Sequence, residues 1–198
     1  MRNIKPAMVD EIKKRLKNNG MAQELMAAKK DPRGLFLLAN QSMVGIREEG
    51  RNNGGKLVSL ISQTIGGHSF EAWCMGAQQT ALAFAEEMTG FESPVFAGEH
   101  CLTVLKKTPK IYHVKSFPLA GAIVIWQHGK TTNGHTGCLE STDGKTMITY
   151  EGNTTSGLNA KGEVEREGGG FYRCQRGFKG NGSMKVVGML IPFEKIKA

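Results

Sequence analysis

Cysteine is sparse in this chain. Of 198 residues only Cys74, Cys101, Cys138 and Cys174 carry thiols, and no two of them form a C-x-x-C pair. That spacing speaks against a zinc finger or a dense disulfide framework, so free thiols in a reducing compartment are expected. Long apolar runs are missing as well. The longest, Leu119 to Trp126, is far too short to span a bilayer. The first residues, Met1-Arg-Asn-Ile-Lys-Pro6, contain no apolar h-region of the Sec type, so the chain is expected to be made in the cytoplasm without a signal peptide. Phosphate-cradle chemistry finds no G-x-x-x-x-G-K-[ST] pattern, and no recognition-helix, zinc-finger or RRM-type aromatic motif points to specific nucleic-acid binding. Acidic residues are also outnumbered, 18 against 26 basic, leaving a net charge of +8. Such a field draws a protein to polyanions, a class that includes nucleic acid, anionic headgroups and the acidic polymers of bacterial envelopes.

What is present is an ordinary globular composition, 39% hydrophobic and 22% charged, long enough to bury a sizeable core without staples. The first half reads as helices. Met8, Ile12 and Leu16 share one side of a segment over 7–19 whose other side is basic. Further helical segments are expected over 21–30, from about 35 to 49, and over 56–65. Residues 91–118, with Pro94, Pro109 and Pro118, read as loop or short irregular elements. After residue 120 glycine concentrates and the apolar period changes to two. Strands are expected at 122–126, 134–140, 146–151, 170–174 and 185–191, with a Thr142-Asp-Gly-Lys145 turn between the second and third. Helices followed by a meandering antiparallel sheet make an α+β fold.

The chain is organised around 69–90, one helix in which Trp73, Ala77, Ala81, Phe84, Ala85 and Met88 recur at helical spacing. With Ser69 as N-cap and Gly90 as the stop, Cys74 falls in the second turn, where unpaired N–H groups and the helix dipole favour a thiolate. The bland alternative is a small buried hydrophobe. A nucleophilic thiolate needs a base, and the base needs an orienting group. His135 opens one strand and Glu151 closes the next, so hairpin pairing through the Thr142 turn brings them to the same end of the sheet. His68, His100, His113 and His128 read as solvent-facing or loop residues, with His128 the main competitor. Cys138 is expected to pack in the core, and Cys101 and Cys174 show no dipole or base nearby in sequence.

Ala72-Trp-Cys74 at a helix start, Gly121-Ala-Ile-Val124 before a strand, Gly134-His-Thr-Gly137 and Glu151-Gly-Asn153 together resemble the CHAP family, cysteine- and histidine-dependent amidohydrolases and peptidases of the papain-like superfamily. The stretch Gly45-Ile-Arg-Glu-Glu-Gly-Arg-Asn-Asn-Gly54 is similar to the first helix and turn of bacterial and phage members. The resemblance covers about 36–191. It implies a papain-like domain over 36–198; residues 1–35 lie outside the resemblance and read as a helical extension serving as scaffold, envelope-attracting basic arm or cap. It further implies Cys74 as nucleophile, His135 as general base and acid, Glu151 orienting the imidazole and Asn153 as a polar helper. The substrate class it implies is bacterial peptidoglycan, cut by an amidase or by an endopeptidase of stem or cross-bridge. Near the N-terminus no calcium loop of the Asp-x-Asp-Gly type is visible, so neither metal nor other cofactor is expected.

A phage lysin acting as a monomer at the cell wall, with anionic envelope polymers as secondary partners, is the leading expectation. A contact-delivered amidase toxin fits the same residues. From a different class, a non-catalytic module binding wall peptides or polyanions would leave Cys74 inert. A zinc hydrolase built on His128, His135 and Cys138 matches no common ligand spacing.

Overall fold

The computed structural model describes residues 2–115, 117–155, 169–181 and 184–193. Among the described residues six helices come first: α1 (Pro6–Leu16), α2 (Gly20–Ala28), α3 (Pro32–Met43), α4 (Lys56–Gln63), α5 (Cys74–Thr89) and α6 (Cys101–Lys107), then a 3-10 turn at Lys110–Tyr112. Six strands follow: β1 (Ile123–His128), β2 (Gly134–Thr142), β3 (Thr146–Thr154), β4 (Gly170–Gly177), the two-residue β5 (Gly180–Asn181) and β6 (Met184–Leu190). All described pairings are antiparallel, so the protein is α+β.

Several helix boundaries have a local cause. Pro6 and Pro32 occupy first helical positions, where a missing N–H costs nothing. Asn19 and Asp31 cap α2 and α3 by accepting from the N–H groups of Ala22 and Gly34. Gly90 ends α5 in the left-handed region, its N–H bonded to the Glu86 carbonyl.

The central helix begins later than its sequence pattern implies. Ser69 does not cap it; Trp73 occupies the N-cap and Cys74 is the first helical residue, not a member of the second turn. Residues before it form turns, with Phe70 at φ 74° under the Arg51 guanidinium and the His68 N–H satisfied by the Glu71 carboxylate. A second correction concerns 91–118. The heptad-length segment from Cys101 is a helix, α6, inside what the prolines suggested was loop.

The sheet order is β4-β3-β2-β1-β6-β5, so four strands meander and β6 lands on the far side of β1 instead of continuing past β4. Its two edges, β4 and β5, are joined by residues 178–179 alone. Flat, six strands would hold those edges about 24 Å apart, while two residues reach about 10 Å at most. The sheet must therefore roll up. One face contributes Ile123, Ile125, Cys138 and Tyr150 to the large core with the helices; the other encloses Val124, Trp126, Leu139, Met147 and Met189 in a smaller one.

Helices α1 and α2 belong to the large core. Met8, Ile12 and Ala22 are fully buried in the same cluster as Phe36, Trp73 and Phe84. Arg2 ties the N-terminal segment to α5 through the side chains of Gln79 and Glu86 and to the Val95 carbonyl. Helix α3 runs across position 35, where the extension was expected to end. Among the described residues no helix is long and apolar enough to cross a membrane.

Candidate active site

Trp73 and the tip of α5 are held by the stretch before α4. The Trp73 indole N–H donates to Glu48 Oε1 at 2.9 Å, and the other oxygen of Glu48 accepts from the Asn53 N–H. As N-cap, Trp73 offers the helix no side-chain oxygen, although small polar residues are strongly favoured there. The first N–H groups of α5 are thus left for other uses. One of them, from Met75, is near enough to the Cys74 sulfur to favour its thiolate.

Strand β3 passes close under this tip. A Cβ on Gly152 would lie 2.7 Å from a Trp73 ring carbon and 2.8 Å from the Ala77 Cβ, so only glycine permits the approach. Gly137 on β2 clears the path for the neighbouring residue, because a Cβ there would meet the Glu151 Cγ at 2.7 Å. Through that gap Glu151 reaches His135 Nε2 at 2.9 Å. With Nε2 taken by Glu151, the other ring nitrogen, Nδ1, is the one left for the Cys74 thiol, which is near enough for thiol and imidazole to shift each other's pKa. Trp126, opposite His135 across the β1–β2 pair, tilts its ring against the imidazole at 5.7 Å and shields it from solvent.

Glu151 is fully buried and would be costly if uncompensated. Arg176, from β4, compensates it: Nε lies 2.9 Å from Oε1 and a terminal nitrogen bonds Oε2, while the Thr149 hydroxyl donates to Oε1. Neither residue was singled out in the sequence. Met147 faces Arg176 across β3–β4, a register reached only through the long 155–169 connection, so spacing gives no hint of it. Asn153 stands in the left-handed region, φ 53°, at the bulge where β3 slips its register with β4.

The electrostatics follow from these contacts. Burial raises the Glu151 pKa, but His135 and Arg176 outweigh it and hold the carboxyl at about 2. Burial likewise opposes charge on His135; the bonds to Cys74 and Glu151 overcome this and lift the imidazole to about 9. Cys74 is pulled well below the ordinary thiol range, first by the hydrogen bond from Cys101, then by His135 and the Met75 N–H, against burial. The same interaction, with burial, raises Cys101. Of the two thiols Cys74 is the one that ionises, since it alone faces the imidazole. Thiolate and imidazolium thus form an ion pair supported from behind by a carboxylate and a guanidinium.

Cys101 overturns its sequence reading. It is not in a loop: it starts α6, and its sulfur lies 3.8 Å from that of Cys74. The apolar spacing of Leu102, Val104 and Leu105 was the available signal for this short helix. Cys138 is fully buried in the large core, and burial pushes its thiol up. The zinc reading fails on the ligands, because no group of three or more His, Cys, Asp or Glu among the described residues is arranged to hold a metal.

Cys74 opens on a cleft of about 810 Å³, whose walls carry Glu71, Glu99, His100, His128 and the Thr131–Gly134 loop. His128 and His100 are exposed wall residues; His135 is the histidine at the sulfur. A second depression of about 540 Å³ lies along the C-terminal half of α5, between Arg2 and Ser93, and its lining includes neither cysteine nor histidine. No family model, curated protein or solved structure matches this chain.

Proposed function

We propose that the protein is a cysteine hydrolase of the papain-like type that cuts an amide bond in the peptide part of bacterial peptidoglycan. The observation that carries the chemistry is the chain of contacts Cys74, His135, Glu151, Arg176 at the uncapped tip of a helix, opening on a cleft large enough for a peptide. The papain-like assignment draws on a helix-borne cysteine meeting an antiparallel sheet whose adjacent strands carry His135 and Glu151. Peptidoglycan as substrate rests on the resemblance to CHAP enzymes together with the +8 charge.

The thiolate attacks the scissile carbonyl, and the developing oxyanion is met by backbone N–H groups at the start of α5, which no side chain caps. His135 then gives its proton to the departing amine. Water, deprotonated by the now neutral imidazole, hydrolyses the thioester and restores the ion pair. Glu151 keeps Nε2 occupied throughout, so the ring cannot turn or present the wrong tautomer. A basic face on α1, with Lys13, Lys14 and Lys17 exposed, brings the protein to anionic envelope polymers.

Digestion of purified peptidoglycan followed by mass spectrometry of the fragments tests this directly. New amine and carboxyl termini at one defined bond are expected, and their position names amidase or endopeptidase. Cys74→Ala, folded by circular dichroism, should lose at least about 10³-fold in rate. Intact wall material after exposure to the native protein, or a fully active Cys74→Ala, overturns the proposal.

A further inference from the structure

We infer that Cys74 and Cys101 are a reversible oxidation site: a hydroperoxide converts them to a disulfide that blocks the nucleophile, and a dithiol restores it. The cross-link rests on the placement of the two sulfurs; its effect on turnover rests on the hydrolase reading above.

The placement has structural causes. Each cysteine is the first residue of a helix, α5 and α6, and the two tips point their sulfurs at one another across 3.8 Å. A disulfide needs about 2.05 Å, so about 1.8 Å of approach remains, a distance on the scale of side-chain rotation. Strand β2 brings α6 into position. A Cβ on Gly134 would sit 2.8 Å from the Cys101 Cβ, and its absence lets the α6 tip close on the strand end that also presents His135. Both cysteines line the cleft, so a small oxidant that reaches one reaches the other. Among the described residues this is the one pair of thiols in contact. Cys138 and Cys174 are not in the cleft lining, and burial raises both, Cys174 to about 12.

The steps balance with a hydroperoxide as oxidant. The Cys74 thiolate attacks the peroxide oxygen, the O–O bond breaks, and the leaving alkoxide or hydroxide takes a proton from the His135 imidazolium. Cys74 is then a neutral sulfenic acid. Loss of the thiolate charge removes part of what held the Cys101 proton in place. The Cys101 sulfur attacks the sulfenic sulfur, the S–S bond forms, the S–O bond breaks, and hydroxide leaves as water with the Cys101 proton. Overall two thiols lose two electrons and two protons, and one peroxide is reduced. Two exchange steps with a dithiol run the pair back. Without a partner so close, a second hydroperoxide would carry the sulfenic acid on to sulfinic acid, itself reduced to the alcohol or water, and dithiols do not reverse that product.

The test treats the full-length protein with stoichiometric hydrogen peroxide, then maps disulfides by mass spectrometry of a non-reduced digest. Expected is one cross-linked species joining the Cys74 and Cys101 peptides, removed by dithiothreitol. A Cys74 found as sulfinic acid beside a free Cys101, or cross-links scattered over Cys138 and Cys174, overturns the inference. In a second arm, the native protein and Cys101→Ser are each oxidised with at least two equivalents of hydrogen peroxide, reduced with dithiothreitol, and compared with their own untreated rates of wall digestion. The native protein should lose and then regain its rate on reduction, whereas oxidised Cys101→Ser should stay at least about tenfold below its starting rate. Equal recovery in the variant also overturns it. A clean Cys74–Cys101 cross-link in a protein that never digested peptidoglycan would instead refute the hydrolase reading and leave the oxidation site standing.

Discussion

Glu151→Gln separates the charge behind the imidazole from everything else at the site. Glutamine has nearly the same shape, but it removes the negative charge between His135 and Arg176 and must turn one N–H toward donors on either side. The sign follows from the contacts. Burial is the largest influence on His135 and acts against the charged ring, and bonds from Cys74 and Glu151 reverse it. Holding the imidazole at about 9 instead of 6.5 corresponds to about 3 kcal/mol in favour of imidazolium. Glu151 and Cys74 share the task of overcoming burial, so losing the carboxylate should remove about 1.5–3 kcal/mol, a 10- to 100-fold drop in the thiolate–imidazolium population near neutrality. Alkylation of Cys74 by iodoacetamide reads that population without knowledge of the substrate. The native protein should react at a nearly constant rate across neutral pH. In Glu151→Gln the rate at about pH 6 should fall 10- to 100-fold and recover only toward the free-thiol range. The stranded Arg176 should cost about 3–5 kcal/mol of stability, so melting is followed alongside. A folded Glu151→Gln with the native alkylation profile would refute the reasoning.

Gly152→Ala should move the nucleophile without touching the titrating groups. Its methyl would meet Trp73 and Ala77 at 2.7 and 2.8 Å, an overpacking of about 1–3 kcal/mol, read as a melting point lower by several degrees and slower Cys74 alkylation; an unchanged melting point would show that the tip of α5 yields freely. His135→Ala gives a pH test of stability. A folded-state value near 9, above the ordinary 6.5, means that the ring's stabilising contribution is complete below 6.5 and is lost as pH rises through about 9. The native protein's melting advantage over His135→Ala should therefore shrink as pH rises through that window, and a constant difference would contradict the ion pair. For the same reason kcat/KM on wall substrate should fall above about pH 9, where the leaving amine loses its proton donor.

The regular parts of the fold were legible because periodicity and turn chemistry agreed in them. The Thr142–Lys145 turn and the alternation on either side of it fix the β2–β3 hairpin, and with it the meeting of His135 and Glu151. Three features were not legible, each for its own reason. The start of α5 slipped because Ser69 is a better N-cap by propensity than Trp73, and tertiary anchoring by Glu48 overrode that preference. Helix α6 was hidden between prolines in a segment too short to display two full turns of pattern. Arg176 was invisible because it acts through a long-range strand register, and a basic residue in a basic chain carries no signal of its own.

These departures from local rule cluster about one sulfur. The helix that starts at Cys74 forgoes a side-chain cap, at about 1 kcal/mol. Glu151, the buried carboxylate behind His135, is retained where a well-packed apolar pair would be no less stable. A domain selected for folding alone would lose nothing by apolar residues in place of the Glu151–Arg176 pair, and they would leave the periodicity that builds the fold undisturbed. A passive wall- or polyanion-binding surface would lose nothing by them either, since it needs neither an ionised thiol nor a fixed imidazole. A forgone cap and a buried carboxylate that converge on one nucleophile are what a site shaped by chemistry leaves behind, and this is why the catalytic reading is preferred to the binding one.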